Sequence, residues 1–193
     1  VQRFTITPSN ENGLPGLKIN SVSEKLKVNI IQWGDNSWKT LEGMLASLCG
    51  QDVPGDLFVH DQYDSPNLSR ATNLSTAMLQ CTFNEDLGYW DVSKVKNMEA
   101  TFLGIKGSVE ISQWDVSSVT NMESIFEQAL SFNSNLSQWD VSSVVRMDDM
   151  FRKAKEFNGD LSLWNTSSVN SMYRTFSFAE KFNSDLSGWD VSS

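Results

Sequence analysis

The side chains best suited to chemistry in this chain are aspartates and serines that recur at a fixed spacing. The aspartate column is interrupted once, by Asn165, and a serine stands two residues after each member. Carboxylates stacked about 4.8 Å apart on neighbouring strands would repel one another unless cations, hydrogen-bond donors or basic groups of a partner relieve them. The candidate ligand-binding residues are therefore Asp91, Asp115, Asp140, Asp190, Ser117 and Ser142.

Two interpretations of these columns stay open. In the first, which we prefer, each aspartate accepts hydrogen bonds from backbone N–H groups of the following turn and has a structural role. In the second, the aspartates bind calcium or the basic groups of a ligand. Because the sequence contains no EF-hand spacing, we assign no metal ligands and predict no cofactor, with calcium as the alternative to test.

The sequence lacks the combinations of residues that catalysis requires. His60 is the only histidine, and no nucleophile motif lies near it, which removes most Ser-His-Asp and Cys-His arrangements. No phosphate-binding loop, dinucleotide fingerprint or zinc-protease motif occurs. An active site is a singular arrangement, whereas this sequence consists of copies. We predict that the protein is not an enzyme and has no catalytic residues.

Five tryptophans mark the repeat that positions these columns. They are separated by 24, 25, 25 and 25 residues, and most begin the phrase WDVSS or WDVSK: Trp90, Trp114, Trp139, Trp164 and Trp189. Aligned on the tryptophan, the unit is L-x-x-W-x-V-x-x-V-x-x-M-x-x-x-F-x-x-A. Such a period is the signature of a stacked repeat architecture.

The spacing of apolar residues changes within each unit. The Trp-x-Val step has the period of two that is typical of a strand, whereas Val, Met, Phe and Ala then follow at the spacing of a helix stripe. We predict strand, turn, helix and turn in every repeat, with a capping box at residues 120–123. Because one unit cannot bury its apolar side alone, the repeats must stack, which places the tryptophans in the core.

The repeats also predict the organisation of the chain. The pattern persists in degenerate form upstream, so we assign residues 1–58 to an N-terminal cap with a degenerate repeat and residues 59–193 to a solenoid of 24- and 25-residue repeats. We expect further repeats after Ser193. The Phe-Asn pairs predict an inward asparagine ladder between repeats. Cys49 and Cys81 are compatible with a disulfide, although we prefer buried free thiols.

Charge and hydropathy limit the partners. With 24 acidic and 15 basic residues the net charge is -9, so we exclude nucleic acid as a partner. No apolar run approaches the roughly 18 residues of a membrane-spanning helix. The first residues contain no signal peptide, and we expect that any export signal has been removed or was never included.

The phrase FNSNLSQWDVSSVVRMDDMFRKAKEFN resembles the repeat of the BspA-like leucine-rich-repeat surface proteins, a 25-residue bacterial surface repeat also catalogued as a mycoplasma-type domain of unknown function. IIQWGDNSWKTLEGML and DSPNLSRATNLSTAM resemble the unit before the regular repeats, so the resemblance covers residues 28–193. It implies export to the cell surface, an anchor outside this segment, and adhesion to macromolecules. Gly107-Ser108 and Asn165-Thr166 depart from the family pattern.

These observations lead to one predicted architecture and two functions. We expect an α/β fold, a right-handed leucine-rich-repeat-like solenoid of short parallel strands and helices with an N-terminal cap. The leading function is a cell-surface or secreted binding and adhesion module that recognises a protein or glycan through a repetitive face. The alternative is a structural spacer or self-assembling subunit with no soluble ligand. The sequence does not decide which face binds.

Overall fold

The computed structural model describes residues 29–30, 40–42, 58–59 and 66–192. Most of the predicted cap, including Cys49, lies outside these residues, as does His60. Strand β1 (Asn29–Ile30) pairs in parallel with β2 (Phe58–Val59). Strand β3 (Thr82–Asp86) pairs in parallel with β4 (Lys106–Glu110).

Successive repeats lie side by side, with equivalent residues in register. A column of single parallel bridges runs through them, linking Thr40, Asn73, Asn97, Asn121, Arg146 and Ser171 in turn. Between residues 73 and 171, each bridge joins two residues that are one repeat apart in the sequence. Equivalent positions of successive repeats therefore lie next to one another. The recurring columns of the sequence become continuous rows in space.

The apolar stripe after each tryptophan forms consecutive tight turns, and residues 66–192 contain no helix. Thr101 N donates to Met98 O at 3.2 Å, and Ile105 N donates to Phe102 O at 3.0 Å. Alternate N–H groups leave the repeat: Met98 N donates to Asn121 O at 2.9 Å. An α-helix would direct all of them to carbonyls four residues earlier. The predicted helices, with their capping box at residues 120–123, are corrected to turns.

A residue with positive φ occurs twice in each turn segment, four positions apart. In the first regular repeat these residues are Ala100, with a φ of 52°, and Gly104, with a φ of 65°. Each is the third residue of a tight turn, the position at which a type II turn requires a positive φ. The equivalent pairs in the other repeats are Thr76 and Gln80, Ser124 and Gln128, Asp149 and Lys153, and Arg174 and Phe178. A helix would require negative φ at every one of them.

The core consists of rows of identical side chains. Phe102, Phe126 and Phe151 are completely buried, and their rings stack with centroids 5.7 and 5.5 Å apart. A second row begins at Phe132, whose ring lies 4.0 Å from that of Phe126. The tryptophans at 90, 114, 139 and 164 are at most 3% exposed, which confirms their predicted place in the core.

The change from 24 to 25 residues per repeat has a local structural cause. In the shorter repeats, β3 and β4 pair at a step of 24 residues, and Gly107 adopts a φ of 88° within β4. The longer repeats, within the described residues 111–192, have no such strand and carry one more residue between the alanine and the Phe-Asn pair. Gly107-Ser108 pairs with Phe83-Asn84 of β3, so this departure from the family pattern lies within the shorter type of connection.

The Phe-Asn pairs form a ladder of asparagines, as predicted, but on the surface. Asn158 N donates to Asn133 Oδ1 at 2.9 Å, and Asn183 N donates to Asn158 Oδ1 at 2.8 Å. All three asparagines are exposed rather than turned inward, because the preceding phenylalanine already occupies the inward position. We call Asn133, Asn158 and Asn183 the asparagine ladder.

Cys81 is completely buried and forms a disulfide bond. This observation corrects the preferred interpretation of Cys81 as a buried free thiol. Cys49 is the other cysteine of the sequence and lies outside the described residues.

Candidate binding surface

The candidate aspartates each close a small turn with the serine two residues later. Asp91 Oδ1 accepts hydrogen bonds from Ser93 N at 3.1 Å and from Ser93 Oγ at 2.7 Å. The same pair of bonds joins Ser117 to Asp115 and Ser192 to Asp190. The structure thus contains the structural interaction that we preferred on sequence grounds.

Asp140 and Asn165 continue this column with the same backbone bond. Ser142 N donates to Asp140 Oδ1 at 3.0 Å, and Ser167 N donates to Asn165 Oδ1 at 3.1 Å. An amide oxygen therefore replaces a carboxylate oxygen without altering the turn. The uncharged member shows that the turn requires an acceptor but no charge.

A second column of the same kind lies four residues before every repeat tryptophan except Trp114, where Glu110 stands instead, and sequence reasoning missed it. Asp86 Oδ1 accepts from Gly88 N at 2.8 Å, and Asp160 Oδ1 accepts from Ser162 N at 2.9 Å. Asp185 repeats this bond with Ser187 N at 2.9 Å. The recurring phrase Asp-Leu-Ser or Asn-Leu-Ser before the tryptophan was the available signal.

Hydrogen bonding lowers the pKa values of three aspartates of this column. Donation from the Ser93 hydroxyl, followed by its backbone N–H, lowers the pKa of Asp91, and Ser192 lowers the pKa of Asp190 in the same way. Hydrogen bonding from Ser142 lowers the pKa of Asp140. Donation to the charged form of a carboxylate favours that form.

Hydrogen bonding also lowers the pKa values of two aspartates in the second column. Backbone N–H donation from Ser162 lowers the pKa of Asp160, and donation from Ser187 lowers that of Asp185. The charge of Asp160 opposes the latter shift, because like charges in adjacent repeats repel.

Acidic residues are concentrated around the tryptophan column. We call the residues from four before to four after each tryptophan the acidic strip: 86–94, 110–118, 135–143, 160–168 and 185–192. The strip has eight acidic residues and one basic residue, Lys94, whereas the rest of residues 86–192 has seven acidic and eight basic residues. All eight carboxylates are exposed: Asp86, Asp91, Glu110, Asp115, Asp140, Asp160, Asp185 and Asp190.

Several charges outside the strip form ion pairs between adjacent repeats. Arg146 contacts Glu123 at 2.5 Å, and Arg174 contacts Asp149 at 3.0 Å. Arg152 bridges Glu127 in the preceding repeat. These pairs neutralise the turn segments, so the negative potential of residues 86–192 arises mainly from the acidic strip.

The geometry offers little to a bound metal ion. Among the described residues, no group of three or more His, Cys, Asp or Glu side chains converges as metal ligands. Each strip aspartate instead directs one oxygen at the residue two positions later, which is a serine in every case except Asp86, whose partner is Gly88. Nothing in this geometry favours the calcium alternative. No helix of the described part of the chain is long and apolar enough to span a bilayer.

A family model described as "Mycoplasma protein of unknown function, DUF285" matches residues 56–107 and 106–193. The chain belongs to the DUF285 family. Searches of curated proteins and of solved structures produced no match. The DUF285 segments include every residue of the acidic strip, so the strip is built on the family's own repeat.

Proposed function

We propose that this DUF285 protein is a secreted or cell-surface binding module, without enzymatic activity, whose acidic strip recognises a macromolecular partner that carries basic groups. The observation that carries the proposal is the segregation of charge: eight acidic residues and one lysine in the strip. We also propose the finer relationship to BspA-like surface proteins and the solenoid fold that it implies.

The arrangement suits recognition of a basic protein. The serine bonds fix six of the eight strip carboxylates before binding, which reduces the conformational entropy lost on association. A surface with one sign of charge accelerates encounter with a partner of opposite charge. Because the aspartates recur once per repeat, a basic segment lying along the stack would meet several of them in succession.

The disulfide at Cys81 supports the proposed location. Disulfide bonds form and persist in oxidising environments such as the cell exterior and are rare in the cytosol. A binding module that displays its strip to external partners would fold in such an environment.

The proposal is tested by removing charge without altering the turns. The double variant Asp115→Asn and Asp140→Asn keeps an acceptor in place, as Asn165 does naturally. The matched control, Glu156→Gln with Glu180→Gln, removes the same charge outside the strip. A lysine-rich peptide serves as the probe, titrated by calorimetry at low and physiological salt.

We expect the strip variant to weaken binding of the peptide about tenfold and to reduce its salt dependence, as loss of two interfacial charges does. The control should bind almost as tightly as the wild-type protein. Equal affinities of the two variants would contradict the proposal, because binding would then follow net charge and not the strip.

The structural-spacer function is favoured by a different observation. The hydroxyl and backbone of Ser117 both bond Asp115 Oδ1, which supports a role of the column in holding the turns of the repeat. Light scattering over a range of concentrations tests this alternative. Growth in mass with concentration, together with no effect of the strip variant on peptide binding, would favour assembly over ligand recognition.

A further inference from the structure

The asparagine ladder contains one member whose chemical surroundings differ. Ser134 follows Asn133 and Ser184 follows Asn183, whereas Gly159 follows Asn158. All three asparagines are exposed. Asn133 and Asn158, whose Oδ1 atoms each accept from the next asparagine of the ladder, therefore present the same amide in the same setting with two different successors.

We propose that Asn158 is a site of spontaneous deamidation in the folded protein. Gly159 N attacks Asn158 Cγ, the new C–N bond closes a five-membered succinimide ring, and the Cγ–Nδ2 bond breaks with release of ammonia. Water then opens the ring to give aspartate or isoaspartate. No enzyme or further reagent takes part.

Glycine makes the attack on Asn158 sterically easier than serine does at the other two positions. A Cβ at residue 159 would lie only 3.0 Å from Cε2 and Cζ of the Phe157 ring. The tight packing that favours glycine here thus also leaves the backbone N–H of Gly159 unshielded by a side chain.

The ladder itself assists the reaction. Asn183 N donates to Asn158 Oδ1 at 2.8 Å, and this oxygen gains negative charge when the ring closes. A fixed donor aimed at a developing oxyanion lowers the barrier. Asn133 Oδ1 has an equivalent donor, Asn158 N at 2.9 Å, so Asn133 and Asn158 differ mainly in the identity of the next residue.

The products differ in their effect on the stack. Aspartate at 158 would still accept from Asn183 N but would place a new charge two residues from Asp160. Isoaspartate adds a main-chain carbon to a repeat whose bonds to its neighbours are set by a 25-residue step. Conversion to isoaspartate should therefore loosen the contact between the last repeats.

The test measures amide loss at each asparagine of the purified folded chain during incubation at mildly alkaline pH, by peptide mass spectrometry. We expect Asn158 to convert at least about tenfold faster than Asn133, a barrier difference of about 1.4 kcal/mol. Asn133 and Asn183 are internal controls, and Gly159→Ser should slow Asn158 to their rate.

A parallel incubation in urea separates sequence from structure. Deamidation of Asn158 in urea but not in the folded chain would overturn the proposal, because the fold would then protect this residue. Equal rates at Asn158 and Asn133 in the folded chain would also overturn it. If Gly159→Ser fails to fold, the comparison of the three asparagines within the wild-type chain still decides the outcome.

Discussion

The indole Nε1 of Trp139 donates a hydrogen bond to the backbone carbonyl of Ile111, 3.1 Å away in the preceding repeat. The bond recurs from Trp114 to Leu87 at 2.7 Å and from Trp164 to Leu136 at 3.0 Å. A buried indole needs such a partner, and a carbonyl at the start of each repeat needs a donor. The pairing explains why tryptophan, and not phenylalanine, recurs at this position.

Replacing Trp139 by phenylalanine should therefore destabilise the protein although the new side chain is apolar. The variant removes one of the two donors to Ile111 O, which still accepts from Trp114 N at 3.1 Å, and opens space in the core, at a combined cost of about 2 to 4 kcal/mol. Urea unfolding followed by circular dichroism measures the change. Trp189→Phe removes the equivalent bond to Leu161 O, 3.0 Å long, from a partly buried indole, and is the control with a smaller loss. Equal losses would show that burial of the bond and of the ring adds little.

The ion pairs between repeats should differ in strength according to their burial. Arg152 and Glu127 have side chains that are 22% and 11% exposed, so Arg152→Met leaves a nearly buried carboxylate without its partner. We expect a loss of about 2 kcal/mol. Lys155 and Glu180 are 49% and 61% exposed, and Lys155→Met should leave the free energy of unfolding almost unchanged. Thermal melts in low and high salt measure both, and a larger effect at Lys155 would contradict this ranking.

The sequence predicts the rows of this structure better than the path of its backbone. The tryptophan and phenylalanine columns identify the core because identical residues at one spacing must stack. The spacing of Met98 and Phe102 indicates a helix, however, because inward positions of consecutive turns recur at nearly the helical interval. Only the bonds from one repeat to the next, such as Met98 N to Asn121 O, distinguish the two. Such bonds join residues more than twenty positions apart and leave no local signal.

The candidate surface was predictable to the same extent. The aspartate column at Asp115 and its serine bonds follow from a short local motif. The ion pair between Arg174 and Asp149 joins residues that are distant in sequence, and their pairing depends on the register of the turn segments. For that reason the concentration of negative charge in the strip emerges only after the partners of the other charges are known.

Positive φ in the turn segments provides a further test. Gln128 has a φ of 58°, at the position that Gly104 occupies one repeat earlier with a φ of 65°. A residue with a Cβ is strained there by about 1 kcal/mol, and the greater entropy of glycine in the unfolded chain offsets part of that. Gln128→Gly should stabilise the protein by about 0.5 kcal/mol. Gly104→Ala, whose Cβ would meet Gln80 Cγ at 3.3 Å, should destabilise it by about 1 kcal/mol. Denaturant unfolding measures both effects. If Gln128→Gly destabilised the protein and Gly104→Ala stabilised it, the backbone would not be strained by a Cβ at these positions.

The lowered pKa values of the strip aspartates should make the protein less stable in acid. Asp91, Asp140 and Asp190 have folded-state pKa values below the ordinary value of 3.8. The unfolded chain therefore binds more protons than the folded chain in that range, so their contribution is present above about pH 3.8 and is lost as the pH falls through the folded pKa. Thermal melts from about pH 5 to about pH 2 should show a falling midpoint. Asp140→Asn, which keeps the turn but does not titrate, should fall less steeply. A midpoint that rises on acidification would mean that relief of repulsion between the carboxylates outweighs the loss of their serine bonds.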